Sequence, residues 1–410
     1  MTLAIVAGCL FLQGLTPEAI EHAQAGAAAR QQGKLDVAIQ EFKKLTELQP
    51  ESGAAHASLG DAYFQIGRYD AAIPELETAL RLNPNLMDTH QTLGVLLLMQ
   101  GNAEGALPHL GKLHTPDLMG LAYLETGRLD KAITSLQAAL DKQPNDPNLL
   151  YYFGRATALA SKSSLDHLAK VNPELARKSA SATETKSPTP HAVVSLQEAL
   201  AKQPNDADLL FAFGQTAALA SRQSFDQILQ SNANSARAHQ VLAERDVEGG
   251  RLPEAEREYA ESLRLRPFSS NVHLALGDVF ATEGNWSAAL TQYRMETKLR
   301  PASADAFYSL GFALLEQGQP AGALEELGQS NRLRPDASKT LLALGKAAWA
   351  IHDAGRAESY WNRLLGIEKQ GDFAALAHLG LSELYRQTGK PEEADREKAA
   401  YEQLTSKGGH

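Results

Sequence analysis

Twelve histidines are the side chains of this 410-residue chain best suited to chemistry, and six of them keep a rhythm. His22, His56 and His90 follow one another at one fixed interval, and His239 and His273 repeat it. His378 takes the same place in its own segment. Imidazole binds zinc and related ions when three or four ligands converge on one point. A regular interval this long argues against convergence, because it puts one histidine in each structural unit and a whole unit between successive ligands. These six read as a packing position. The remaining histidines are scattered, with no HExxH-like pair. The single cysteine, Cys9, excludes an internal disulfide and any multi-cysteine metal site. The chain has no glycine-rich phosphate loop and no GxSxG elbow. Its Asp and Glu residues are scattered as on helix exteriors. The expectation is a protein that is not an enzyme and has no cofactor and no metal.

The elements behind that rhythm show in the glycines and prolines. Gly277, Gly311 and Gly345 are spaced by the same interval as the histidines, and so are Pro267, Pro301 and Pro335. Gly60 and Gly94 keep it as well, together with Pro50 and Pro84. A fixed period of this size marks an array in which each unit buries its apolar face against its neighbours. In the unit from Gly53 to Leu86, a first helix over about 53–65 carries Leu59, Gly60 and Tyr63. A turn follows at Ile66, Gly67 and Arg68. A second helix over about 70–82 carries Ala72, Leu76 and Ala79, and Pro84 closes the unit. Gly60 and Ala72 are small enough for close approach of the two helices. Leu59, Tyr63, Leu76 and Ala79 recur at helical spacing and form the shared seam.

Composition agrees. Apolar residues make up 43% and aromatics only 6%, so packing rests on Ala and Leu, both good helix formers. The formal charge of −10 without a basic block argues against nucleic acid as a partner.

Small, aromatic, small and proline at these offsets resemble the tetratricopeptide repeat, a helix–turn–helix unit of about 34 residues. Units start at Ala19, Gly53, Met87, Leu113, Pro147, Ala207, Ala236, Ser270, Ala304, Ser338 and Ala375. The resemblance covers about residues 17–408 and implies an all-α, right-handed α-solenoid of about eleven units. It also implies that first helices line a concave face that takes a peptide or partner helix. On that basis Tyr308, Phe312, Lys339, Lys346 and Trp349 are groove candidates. These aromatics and lysines suit an extended peptide bearing a carboxylate. The alternative is that Tyr308 and Phe312 pack between neighbouring units and the lysines are solvated. Tyr151, Arg155, Phe211 and Gln215 form a second candidate patch. Trp286 and Trp361 are expected in the core. The Lys/Asn/Asn/Lys/Arg carboxylate clamp of some relatives is missing, since Ala23 and Ala27 stand at its positions.

The departures from the repeat suggest a domain plan. The unit from Met87 is clipped. Residues 133–154 recur as 193–214, and the intervening SASATETKSPTP, residues 179–190, reads as a linker replacing a first helix. The plan is an apolar segment at 1–16, a stack at 17–178, the linker at 179–190 and a second stack at 191–408. The charged stretch from Pro391 suits an end cap. Residues 3–12, LAIVAGCLFL, are too short to span a bilayer as a helix. They read as a signal remnant, as a lead-in packing on the first unit, or as a lipoprotein signal with lipidation at Cys9. A membrane enters only if that segment is a signal or anchor, and export to a periplasm is favoured over a cytoplasmic site. The function expected is a protein–protein interaction scaffold of bacterial type. The alternatives are an exported envelope assembly component and a regulatory repeat subunit of an enzyme complex.

Overall fold

The computed structural model describes residues 16–179, 191–269 and 271–407. The apolar segment with Cys9, and all of the 179–190 stretch except Ser179, lie outside the described residues. The chain divides into two compact units, residues 1–231 and 232–410.

Unit 1 opens with four helix pairs: α1 Pro17–Gln31 with α2 Leu35–Leu48, α3 Gly53–Gln65 with α4 Tyr69–Leu82, α5 Met87–Met99 with α6 Ala103–Leu113, and α7 Pro116–Glu125 with α8 Leu129–Leu140. It then departs from the pattern, with α9 Pro147–Val171, α10 Pro173–Ser179, α11 Ala192–Lys202 and α12 Ala207–Ser231. Unit 2 holds five pairs: α13 Ala236–Glu248 with α14 Leu252–Leu265, α15 Val272–Thr282 with α16 Trp286–Leu299, α17 Ala304–Glu316 with α18 Pro320–Leu333, α19 Ser338–Ala350 with α20 Ala354–Ile367, and α21 Asp372–Gln387 with α22 Pro391–Lys407. The fold is an all-α repeat solenoid. None of the described helices is long and apolar enough to cross a membrane.

Seven of these nine pairs close by one rule, the exceptions being α13, with Ala243, and α21, with Ser382, at the glycine's place. A glycine on the first helix leaves a notch, and the residue sixteen positions later on the second helix fills it. Gly60 receives Leu76, Gly94 receives Leu110 and Gly311 receives Leu327, and a Cβ on any of these glycines would come within 2.7 Å of the inserted leucine. Phe42, Tyr293 and Trp361 take the same role against Gly26, Gly277 and Gly345. Leu76, Leu110 and Leu327 are fully buried. Burial of one leucine side chain contributes about 1.5–3 kcal/mol, so the knobs are a main source of cohesion.

Local signals start and stop the helices. Thr16, Ser52, Ser235 and Ser303 cap first helices by accepting a backbone N–H three residues on. Asn102, Asn285 and Asp353 do the same for second helices. The turns between partners use a left-handed residue, Gly33, Gly67 and Gly318 among them, at φ near 71–75°. In the α19–α20 turn His352 occupies that place at φ 62°.

The duplicated middle corrects two expectations. The segments starting at Pro147 and Ala207 are single helices of 25 residues, not helix–turn–helix units. They also pack on each other, so the division between units falls after Ser231 and not at 179–190. The packing is reciprocal. Phe225 of α12 fills the notch over Gly154 of α9, and Leu165 of α9 fills the notch over Gly214 of α12. His167 pairs with Asn205 at 3.0 Å, and Gln227, the equivalent of His167 in the second copy, donates to Asn145 at 2.8 Å. Ser161 and Ser164 of α9 donate to the Gly214 and Leu210 carbonyls at 2.7 and 2.9 Å. The two copies embrace about a local pseudo-two-fold axis. The related stretch extends well past residue 154, to the end of α9.

Candidate peptide-binding face

The rhythmic histidines are structural ties between the two helices of a pair. His22 meets Glu41, His56 meets Glu75 and His239 meets Glu258, each through Nδ1 at 2.6 Å, and His378 meets Glu397 at 2.5 Å. In every case the carboxylate lies nineteen residues later on the second helix. Gln292 replaces it opposite His273, and His109 replaces it opposite His90 at 2.8 Å. Burial, the facing His90 and nearby Lys112 all push the His109 pKa down. No group of three or more His, Cys, Asp or Glu among the described residues could hold a metal ion.

The groove candidates gather in unit 2. Tyr308 and Phe312 are one turn apart on α17, and their rings stack with centroids 6.0 Å apart. Both side chains are half-buried. Trp286, at the start of α16, meets Phe312 edge-on at 6.2 Å. Lys339 occupies in α19 the place of Asp305 in α17, and its Nζ donates to Asp305 Oδ1 at 2.8 Å. The same ammonium lies 4.5 Å from the centre of the Tyr308 ring, within cation–π range. Arg334, which follows α18, donates to both Asp305 oxygens at 2.9 Å. Burial works against the Asp305 charge, but the bonds from Arg334 and Lys339 outweigh it and hold the carboxyl below its usual range. One carboxylate thus fixes an arginine and a lysine, and the lysine faces an aromatic ring.

A second carboxylate, Asp278 of α15, accepts a hydrogen bond from the Tyr293 hydroxyl at 2.8 Å. Burial raises its pKa, partly offset by Tyr293 and Lys339. The Tyr293 hydroxyl is pushed well above its ordinary range, by burial first and then by Asp278.

The structure brings Tyr308, Phe312 and Lys339 together. It places Lys346 on the exposed side of α19, with no hydrogen bond or ion pair among the described residues. Trp349 is half-buried and packs against the unit 2 core. Trp361 is a core knob at 2% exposure, as expected, whereas Trp286 flanks the stack. The second patch does not present its lead aromatic: Tyr151 is 1% exposed, locked under the Arg155 guanidinium and against Phe225. Phe211 and Gln215 are half-buried on α12.

Sequence reasoning missed Arg334 and Asp278. For Arg334 a signal existed. Arg266, Arg300 and Arg334 each precede a proline and keep the repeat interval. Arg300 likewise donates to Asn271, which stands at the position of Asp305 one unit earlier. Asp278 carried no signal beyond its place after Gly277.

A sequence model described as tetratricopeptide repeat matches residues 24–86, and a second, described as TPR repeat, matches residues 120–158 and 277–318. No curated protein matches the chain. Among solved structures, MamA from Desulfovibrio magneticus RS-1 is 19% identical, with 43% of this chain and 97% of MamA covered at a TM-score of 0.41. YrrB, described as a TPR protein with an unusual peptide-binding site, is 18% identical, with 44% of this chain and 91% of YrrB covered at a TM-score of 0.39. The Cut9–Hcn1 hetero-tetramer of the APC/C is 17% identical, with 99% of this chain and 90% of the matched chain covered at a TM-score of 0.40.

Proposed function

The chain is a tetratricopeptide-repeat protein, and from that premise we propose that it binds a peptide segment of a partner protein on the first-helix face of unit 2. An apolar or aromatic side chain of the partner covers Tyr308 and Phe312. An acidic group of the partner pairs with Lys346. The observation that supports this reading is the Asp305 lattice. Arg334 and Lys339 hold one another in place through a single carboxylate, and Lys339 holds the edge of the aromatic stack. Such a surface loses little side-chain freedom on binding, which favours affinity. Aromatic anchors beside fixed charge are also the residue types that dominate binding energy at interfaces.

Lys339 is thereby less available than Lys346 to a partner carboxylate, because it is already bonded to Asp305, a carboxylate it shares with Arg334. Lys346 remains for that role. As a test, the full-length protein and its Phe312→Ala and Lys346→Glu variants are used side by side as bait in native extract. A partner captured by the parent and lost from both variants supports the reading. A partner retained by both rejects this face as the binding site.

A further inference from the structure

Unit 1 repeats the acidic side of the unit 2 lattice without its cations. Asp278 follows the notch glycine of α15, and Asp61 follows Gly60 of α3. Asp305 lies in the first turn of α17, and Asp88 lies in the first turn of α5. Asp88 follows Asp61 at the interval by which Asp305 follows Asp278. Asp61 interacts electrostatically with Arg30 of α1 and Asp88 of α5, so it lies among three successive first helices. Asp278 senses Asp305 and Lys339 in the same way.

The clipped repeat removes the cations. Counted from the knob Leu110, α6 ends where residue 330 stands in unit 2. Counted from Gly120, α7 starts where residue 341 stands. His114 and Thr115 alone fill the place of residues 331–340, which include Arg334 and Lys339. His114 is the exposed, left-handed cap of α6, and nearby Lys112 is engaged with His90. Arg30 lies over the Phe42 ring, 5.9 Å from its centre. Residues 1–15 contain neither lysine nor arginine. Asp61 also lacks the hydroxyl that Tyr293 gives Asp278, because Leu76 is the knob in its pair. Its Oδ1 is buried and accepts no hydrogen bond among the described residues. Burial raises its pKa, and Thr92 and Arg30 offset this only in part. A buried carboxylate is ordinarily paired, since leaving its charge unmatched is costly.

We propose that the first-helix face of unit 1, at Asp61 and Asp88, takes a lysine or arginine side chain of a partner peptide. The cation pairs with Asp88, as Lys339 pairs with Asp305, and donates to Asp61 Oδ1. The partner thus supplies in trans the charge that unit 2 supplies from its own chain. A net charge of −10 favours the approach of such a basic segment. The unit 2 contacts enter as geometry only, and the proposal does not depend on a partner binding there.

The test pans a phage library of random peptides on the full-length protein, with depletion on its Asp61→Asn/Asp88→Asn double variant. Depletion removes binders of every other surface, the unit 2 face included. The recovered peptides are expected to carry lysine or arginine. Labelled with fluorescein and followed by anisotropy, they are expected to bind the parent about tenfold or more tighter than the double variant. Asp88→Lys, at an exposed position, is a second variant expected to weaken binding as much. Thermal melts establish that both variants fold. If no peptide distinguishes the parent from the double variant, the proposal is overturned. Recovered peptides without lysine or arginine would overturn it too. Calcium binding by calorimetry that requires both carboxylates would assign the site to a metal ion and end the proposal.

Discussion

Trp361 occupies the notch left by Gly345, sixteen residues earlier on the facing helix, and its indole nitrogen donates to the Leu342 carbonyl at 3.4 Å. The same indole lies against Gly380 of α21, where an added Cβ would come within 2.8 Å of its Cζ2. One side chain thus joins three consecutive helices, and two glycines make room for it.

Gly345→Ala is therefore expected to destabilise unit 2 by about 1–3 kcal/mol, since the ring has no free space into which to retreat. Gly366→Ala is the control. That glycine lies in α20 with nothing within 4 Å of an added Cβ. There the same substitution should stabilise by up to about 1 kcal/mol through helix propensity. Urea unfolding of the two variants measures both signs, and equal effects would contradict the packing argument.

His352 is the left-handed turn residue of the α19–α20 pair, in the place held by glycine at Gly33, Gly67 and Gly318. A side chain in that conformation costs about 1–2 kcal/mol. His352→Gly relieves this strain but adds freedom to the unfolded chain. A net gain of about 0.5–1 kcal/mol is expected from a thermal or urea melt. A loss would show that the imidazole makes a stabilising contact.

The His90–His109 tie is the one in which two imidazoles face each other, with Lys112 3.0 Å from His90 Nε2. The folded-state pKa of His109 is lowered. The unfolded chain therefore binds the proton more readily. Stability should fall as pH drops below about 6.5, the ordinary histidine value. His109→Glu installs the partner used opposite His22, His56, His239 and His378. It should raise the urea midpoint, with a gain that grows from about pH 7.5 to about pH 6. A gain independent of pH would assign the effect to packing alone.

Asp278 is the reverse case, an acid whose pKa is raised, chiefly by burial. The folded state holds its proton more tightly than the unfolded chain does. Its cost is absent below the unfolded pKa and grows as pH rises through the folded value. Asp278→Asn keeps an acceptor for Tyr293 and removes the buried charge. It should be stabilising at pH 7, and the advantage should vanish at about pH 3.5, below the ordinary Asp value. Melting curves at the two pH values decide it.

The division after Ser231 makes a prediction about fragments. Residues 232–410 expressed alone should be helical and unfold cooperatively. Residues 191–410 should bind apolar dyes and associate, because that cut strips α9 from Leu210, Phe213 and Ala217 of α12, all buried in the whole chain. Circular dichroism and light scattering compare the two. A well-behaved 191–410 fragment would restore the division at 179–190.

Much of this fold was legible because a repeat states each packing rule several times. Gly60, Gly94 and Gly311 announced small positions, and the periodic His22, His56 and His90 announced a packing place. Their partners were harder to find. Glu41 and Leu76 look like ordinary surface and core residues until the intervals of nineteen and sixteen are measured. The pair α9 and α12 was the main failure. A helix as long as α9, with Ser161 and Ser164 past its middle, looks like two shorter helices, and only the second copy shows what those serines bind. At the candidate site, Tyr308, Phe312 and Lys339 followed from repeat position. The convergence of Lys339 and Arg334 on Asp305 joins residues 34 and 29 positions apart, which no local pattern reports.

The embrace of α9 and α12 also has a mechanical consequence. In the regular pairs each helix is tied to one a few turns away in sequence, so a pull on the chain can peel them off one at a time at low force. The α9–α12 clasp is tied by bonds spanning 46 residues from Ser164 to Leu210 and 83 residues from Gln227 to Pro144. Those ties load in parallel along helices of about 37 Å. Under tension this stretch should act as a clamp that yields in a single large step after its neighbouring pairs have unravelled.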